Sequence, residues 1–259
     1  MEIVIVPGPE DTGIVVADAI AAAIHAGATT LGLATGSSPL AAYAELARRC
    51  AAGQLTFAGL QAFLLDEYVG LPADHPQAYA NFIRDRLVRH VDLDPARVHG
   101  PDGTAADVLD EALRYDASIT ATGPVDVQVL GIGVNGHIGF NEPSSSLTSR
   151  TRIKTLTAQT RQDNARFFGS IDAVPQHVIT QGLGTICEAR HLVLTASGSR
   201  KAAAVAAAVE GPLSASCPAS VLQWHAHATV VVDEAAAADL HAADFYRYVL
   251  AHKIADQGY

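Results

Sequence analysis

Short apolar runs alternate along the chain with longer stretches whose apolar residues recur at helical spacing, so strands and helices are predicted in turn. Residues 3–6 form a β-branched run of strand character. Asp11 or Thr12 can cap a helix that runs to about Ala26 and stops at Gly27. Residues 30–34 read as a second strand, and a helix follows the turn at 35–39 and ends near Cys50. Residues 61–65 read as a third strand running into Asp66, Glu67 and Tyr68, ahead of a helix over roughly 77–90. Further on, 105–120 is helical and 125–132 is a buried strand that opens into a glycine-rich loop. Then come a strand at 191–196, a helix over about 200–209, a strand at 229–232 and a C-terminal helix over about 235–254.

Such alternation predicts a doubly wound, mostly parallel sheet of Rossmann-like type with helices on both faces, in one domain over 1–259. Strands apolar on both faces agree with this. There is no internal repeat and no low-complexity linker, and the alanine-rich stretches read as helix interiors. Ligands of such folds sit beyond the carboxyl ends of the strands. Every polar loop of interest here follows a strand, so these loops are expected on one edge.

Thr35, Gly36, Ser37, Ser38 and Pro39 form the first such loop. Backbone N–H groups and hydroxyls at a helix start suit an anion such as phosphate, although a capped turn that binds nothing fits equally. Ser197, Gly198, Ser199, Arg200 and Lys201 repeat the arrangement, with Lys201 able to reach an anion at its mouth. Asp66 and Glu67 end an apolar strand, where a plain turn needs only one acid. A carboxylate in a partly apolar pocket has a raised pKa and can serve as a base, while its neighbour closes the loop. The stretch from Gly131 to Pro143 is the most informative. Its glycines imply a tight backbone beside a ligand, and His137 and Glu142 can meet if the loop folds back. His75 reads as a turn residue near the Asp66 loop, and the other histidines have no such context.

Composition narrows these options. A formal net charge of −10 argues against general nucleic-acid binding, but Arg150, Arg152, Lys154, Arg161 and Arg166 gather positive charge in one segment. An anionic substrate therefore remains open. No apolar stretch approaches the ~20 residues of a membrane span, and the start at Met1 has no signal-peptide character. Cys50, Cys187 and Cys217 make neither a CxxC nor a zinc pattern, so no metal and a reduced, cytoplasmic setting are expected.

Several stretches together resemble the glucosamine-6-phosphate deaminase family. They are residues 65–72, Leu-Asp-Glu-Tyr-Val-Gly-Leu-Pro, then His75-Pro76, residues 136–143, Gly-His-Ile-Gly-Phe-Asn-Glu-Pro, and residues 149–157. The likeness runs nearly end to end and includes both serine–glycine turns. The resemblance implies conversion of glucosamine 6-phosphate and water to fructose 6-phosphate and ammonia in amino-sugar catabolism, without cofactor, by a hydrolase acting on a C–N bond. Residue by residue, it implies Asp66 as the base between C2 and C1 and His137 as the acid/base that opens the pyranose ring. Glu142 and Asn135 are implied as supports of His137, and Gly36, Ser37, Ser38, Arg166 and Lys201 as the phosphate cradle. Some members have Asp where this chain has Asn135, so His137 is expected to depend mainly on Glu142. Allosteric members bind N-acetylglucosamine 6-phosphate at a subunit interface, and Ser145, Arg152, Lys154, Thr155 and Tyr248 resemble those contacts. Such members are hexamers and others are monomers; the sequence leaves both open. Residues 157–184 are expected to form a lid.

Two rivals remain. A 6-phosphogluconolactonase shares a Gly-His loop, but typically continues differently after the histidine, and Glu142 then has no ring to open. A sugar-phosphate sensor should carry a DNA-binding helix-turn-helix, for which a chain starting in its first strand has no room.

Overall fold

The computed structural model describes residues 1–254 and residue 258. The single-domain reading extends to 259, of which 255–257 and 259 lie outside the described residues. In chain order the strands are β1 (Glu2–Val6), β2 (Thr30–Leu33), β3 (Gln61–Leu64), β4 (Asp66–Tyr68), β5 (Val98–His99), β6 (Val127–Leu130), β7 (Arg152–Thr155), β8 (His177–Thr180), β9 (His191–Ala196) and β10 (Ala228–Asp233). The helices are α1 (Pro9–His25), α2 (Leu40–Ala51), α3 (Tyr79–Arg86), α4 (Val108–Thr122), α5 (Ala158–Phe168), α6 (Leu183–Cys187), α7 (Ala202–Val209) and α8 (Ala243–Ala251).

Seven strands pair in the order β1-β10-β9-β6-β2-β3-β5, every pair parallel. Parallel strands need crossovers, and the helices between them supply these. β2, β6, β9 and β10 are buried at every position, which is why they read as unbroken apolar runs. The expected parallel α/β fold is present, and its strand ends bring residues 34–39, 131–142 and 197–201 to one edge.

A second sheet was not expected. β4, β8 and β7 form an antiparallel sheet with its own small core of Tyr68, Leu71, Ala78, Phe140, Leu156, Val174 and Val178. The chain crosses between the sheets at Leu65. Its N–H donates to the Leu33 carbonyl in the large sheet, and its carbonyl accepts from Gln181 N–H beside β8. The predicted C-terminal helix is also shorter than expected. Residues 234–242 form turns because the Asp233 carboxylate accepts from Ala236 N–H and Glu210 accepts from His241 and Ala242 N–H. Only α8 remains helical. Among the described residues, no helix is long and apolar enough to cross a membrane.

Candidate active site

Asp66 is the first residue of the small sheet, and its side chain is 4% exposed at the seam. Among the described residues nothing donates a hydrogen bond to its carboxylate. Burial, and next the adjacent Glu67 charge, hold its pKa well above the usual carboxylate range. Glu67 has a different task. Its carboxylate accepts from Tyr68, Tyr79 and Ala80 N–H at 2.9, 3.0 and 3.1 Å, so it closes the first turn of α3. Ala78 at the cap position has no side-chain oxygen, and Glu67 replaces one.

The loop after β6 folds back on itself. The His137 carbonyl accepts from Gly133 N–H at 2.9 Å, and a Cβ at Gly133 would lie 2.2 Å from the imidazole, so only glycine lets the ring lie there. Of the two supports expected for His137, Asn135 is the nearer. The His137 Nδ1 lies 2.7 Å from Asn135 Oδ1 and 3.6 Å from Glu142 Oε2. Asn135 stands between them and donates from Nδ2 to Glu142 Oε2 at 2.7 Å. A carboxylate can only accept, so the amide NH₂ must face Glu142 and the amide oxygen must face His137. Nδ1 therefore carries the proton, and Nε2 is left as the basic nitrogen. The His137 N–H also donates to the same amide oxygen at 3.2 Å.

Glu142 is 3% exposed, yet charged. Burial pushes its pKa up, but the His137 imidazole 3.6 Å away and hydrogen bonds from Thr160 and Asn135 outweigh that and leave it at about 2. Asp66 and Glu142 are thus two buried carboxyls driven apart, one well above the ordinary carboxylate range and one below it.

One cavity is lined by Asp66, His137, Gly36, Ser37, Ser38, Arg166 and Lys201 together. Lys201 is half-buried, donates to the Ile132 carbonyl at 2.5 Å, and has its pKa lowered by burial and then by neighbouring Arg200. Arg166 lies on α5 and is exposed, its guanidinium 4.6 Å over the Phe167 ring. Positive charge and the Ser37–Ser38 turn therefore share a cavity with a buried carboxyl of raised pKa and an imidazole.

Arg152, Lys154 and Thr155 lie elsewhere, on β7, and Ser145 lies in the loop after Glu142, its N–H donating to the Glu142 carbonyl. Arg152 Nη2 and Ser145 Oγ are buried with no hydrogen-bond partner among the described residues. Thr155 Oγ1 lies 3.2 Å from His177 Nδ1. Tyr248 is not brought to them. It sits exposed on α8, stacked on His252, and α8 packs against β1 at the rim of the large sheet. His75 accepts from Gln77 N–H and lies outside the cavity lining. Sequence reasoning missed Thr157 and Thr160, which hydrogen-bond Glu142, and Asn164, which donates to the Tyr68 hydroxyl at 3.0 Å. The spacing Thr157-x-x-Thr160 before a helix was the available signal for the first two.

Residues 11–232 match the family of glucosamine-6-phosphate isomerases/6-phosphogluconolactonase. A glucosamine-6-phosphate deaminase of Rhodococcus opacus (strain B4) is 62% identical over 253 residues, which cover 98% of each chain. A solved structure of a monomeric glucosamine-6-phosphate deaminase, described as a missing link of the NagB superfamily, is 41% identical with a TM-score of 0.90 and covers 92% of this chain and 100% of that one. A 6-phosphogluconolactonase from Trypanosoma cruzi shares the fold at a TM-score of 0.76, with 20% identity over 93% of this chain and 97% of that one. The chain belongs to the family of glucosamine-6-phosphate isomerases and 6-phosphogluconolactonases.

Proposed function

We propose that this chain converts glucosamine 6-phosphate and water to fructose 6-phosphate and ammonia, reversibly and without a cofactor. One observation carries the reading. A buried carboxyl with raised proton affinity and an imidazole with one defined tautomer line the same cavity as Lys201, Arg166 and the Ser37–Ser38 turn. The identity to deaminases over the whole chain points the same way.

The phosphate docks on the Gly36-Ser37-Ser38 turn, Arg166 and Lys201, and places the sugar carbons against Asp66 and His137. The ring must open first, because C2–H becomes acidic only beside a carbonyl at C1. His137 Nε2 takes the O1 proton and returns it to O5, breaking the C1–O5 bond. The Asp66 carboxylate then takes the C2 proton while O1 takes one from the C2 ammonium, giving an enolamine. Asp66 returns its proton to C1, and the nitrogen lone pair forms an iminium at C2. Water adds to that carbon and ammonia leaves, so the C–N bond is hydrolysed and the ketone forms. A base tuned upward and an imidazole held in one tautomer fit these two separate proton transfers.

The cluster on β7 supports a second sugar-phosphate site for N-acetylglucosamine 6-phosphate. Arg152 Nη2 and Ser145 Oγ are buried donors with no partner among the described residues, and burial lowers the pKa of Lys154 on the same strand as Arg152. Tyr248 joins this set only from another copy of the chain, which ties regulation to assembly; the effector should then lower the half-saturating substrate concentration. The lid is narrower than 157–184. β8 is the middle strand of the small sheet, Leu183 is fully buried and Val174 belongs to the small core, so α5 and residues 169–173 are the part free to move. Free thiols at Cys50, Cys187 and Cys217 fit a cytoplasmic setting.

The test is ammonia release by the purified protein from glucosamine 6-phosphate, with 6-phosphogluconolactone as a parallel substrate. Ammonia from the first and no acid from the second is expected. Lactone hydrolysis without ammonia release would overturn the assignment.

A further inference from the structure

The His137–Asn135–Glu142 chain does not end at Glu142. Glu142 Oε2 takes the Asn135 amide, and the opposite oxygen, Oε1, faces the start of α5. Thr160 Oγ1 donates to Oε1 at 2.5 Å, and Thr157 Oγ1 lies 3.2 Å from the same atom. Thr157 is the cap residue of α5, and its hydroxyl oxygen accepts from Thr160 N–H at 3.1 Å. Thr157 has one hydroxyl proton and two acceptors in reach, Glu142 Oε1 and, at 3.0 Å, Thr160 Oγ1. Thr160 has one acceptor at short range, so its proton is committed to the carboxylate. It is also the one α5 residue that is buried.

A carboxylate free to rotate would not hold the Asn135 amide in one orientation. An amide free to flip would present NH₂ to His137 and reverse its tautomer. The His137 N–H holds the amide oxygen at 3.2 Å, and of the far-side donors to Oε1 the Thr160 hydroxyl is the shortest, at 2.5 Å against 3.2 and 3.4 Å for the Thr157 hydroxyl and N–H, so it restrains the carboxylate most. α5 also carries Arg166 and Asn164 along the cavity wall, so the helix that meets the substrate's anionic end holds the last member of the proton relay.

We propose that Thr160 is a positioning residue for ring opening: its hydroxyl fixes the Glu142 carboxylate, and through the Asn135 amide it fixes the tautomer of His137. The relay is therefore complete only with α5 seated. The proposal rests on the reaction assigned above, but its physical content, the imidazole tautomer, is measurable without turnover.

The experiment compares wild type, Thr160→Val and Thr160→Ser by steady-state ammonia release and by 15N NMR of the His137 ring. In Thr160→Val, which keeps the shape and loses the hydroxyl, kcat should fall roughly tenfold with KM nearly unchanged, as for a lost hydrogen bond to a charged group. The ring should change from the Nδ1–H form to a mixture of tautomers, and Thr160→Ser should restore both readouts. Thr160→Ala, a better helix former, carries the same test if the valine variant does not fold. A wild-type kcat in Thr160→Val, or a loss of turnover with the wild-type tautomer retained, would overturn the proposal. If wild type releases no ammonia, the assigned reaction falls, and the tautomer comparison still decides the role of Thr160.

Discussion

The large parallel sheet and the small antiparallel sheet with α5 hold their parts of the site by different means. β6, β9 and β10 are buried at every position and packed from both sides, so the loops at their carboxyl ends inherit a rigid base. β7 has no buried residue, and α5 has only one. The second region is attached through a seven-residue core and individual polar links, among them Thr160 to Glu142, Asn164 to Tyr68, and Arg161 to the Val174 carbonyl. Each such bond contributes about 0.5–1.5 kcal/mol net, or about 1.5–3 kcal/mol where one partner is charged, so opening this region costs far less than opening the sheet. The division matches the chemistry. His137 and Lys201 stand on the rigid edge, Arg166 and Thr160 on the weaker one, and Asp66 where the two sheets meet.

The seam gives the largest expected effect. Asp66→Asn should lower kcat by roughly 10²–10⁴, the usual contribution of a positioned base. The same change should make the protein more stable. The folded-state pKa of Asp66 is raised, so its contribution to stability is fully present below the ordinary carboxylate pKa and is lost as pH rises through the folded value. At neutral pH the asparagine avoids that loss, and its melting temperature should exceed wild type by a margin that grows with pH. For the same reason the acid limb of kcat/KM should lie above the ordinary carboxylate range. A variant that is inactive but no more stable at high than at low pH would show that Asp66 is not held as a strained base.

Charge on the two sides should differ in kind. Lys201→Ala removes a cation from the rigid edge and should raise KM by roughly ten- to a hundredfold, with a smaller change in kcat. Arg166→Ala removes one from α5. It should raise KM less, because this guanidinium is exposed, and should lower kcat as well, because bound phosphate no longer helps to seat α5 and Thr160. Identical KM and kcat patterns in the two variants would erase the proposed difference between the regions.

The same contrast decided what the sequence could reveal. Buried parallel strands carry unbroken apolar runs, and 30–34, 191–196 and 229–232 were legible on that ground alone. β7 reads Arg-Ile-Lys-Thr, one apolar residue in four, and becomes a strand only through its antiparallel partner β8. Local pattern does not encode such pairing. In α5, polar capping and tertiary hydrogen bonds replace an apolar stripe, so Thr160 carried little local signal. At the other end, Ala235–Ala238 favoured helix by propensity, and the Asp233 and Glu210 carboxylates overrode it by binding backbone N–H groups of the turns. The site loops were legible because glycine, histidine and adjacent acids are unusual at strand ends. The intermediate place of Asn135 was not, because spacing cannot say which of two partners an imidazole will reach first.

Two glycine substitutions make the smallest and sharpest comparison. A Cβ at Gly13 on α1 would lie 2.5 Å from the Ala41 carbonyl carbon of α2, so Gly13→Ala must push two packed helices apart. The expected cost is about 1–3 kcal/mol, felt by the whole sheet, and at about 2–4 °C per kcal/mol it should appear directly in the melting temperature. Gly169 caps α5 in the left-handed region at φ 82°, with nothing near its missing Cβ. Gly169→Ala there should cost roughly 1–2 kcal/mol of backbone strain and no contact. If α5 opens independently of the sheet, that cost falls on the local equilibrium. Amide exchange in 158–168 should then accelerate while the melting temperature stays near wild type. An equal fall in melting temperature for both variants, with unchanged exchange in α5, would mean that the two regions unfold as one unit and that Thr160 is never withdrawn from Glu142 in the native state.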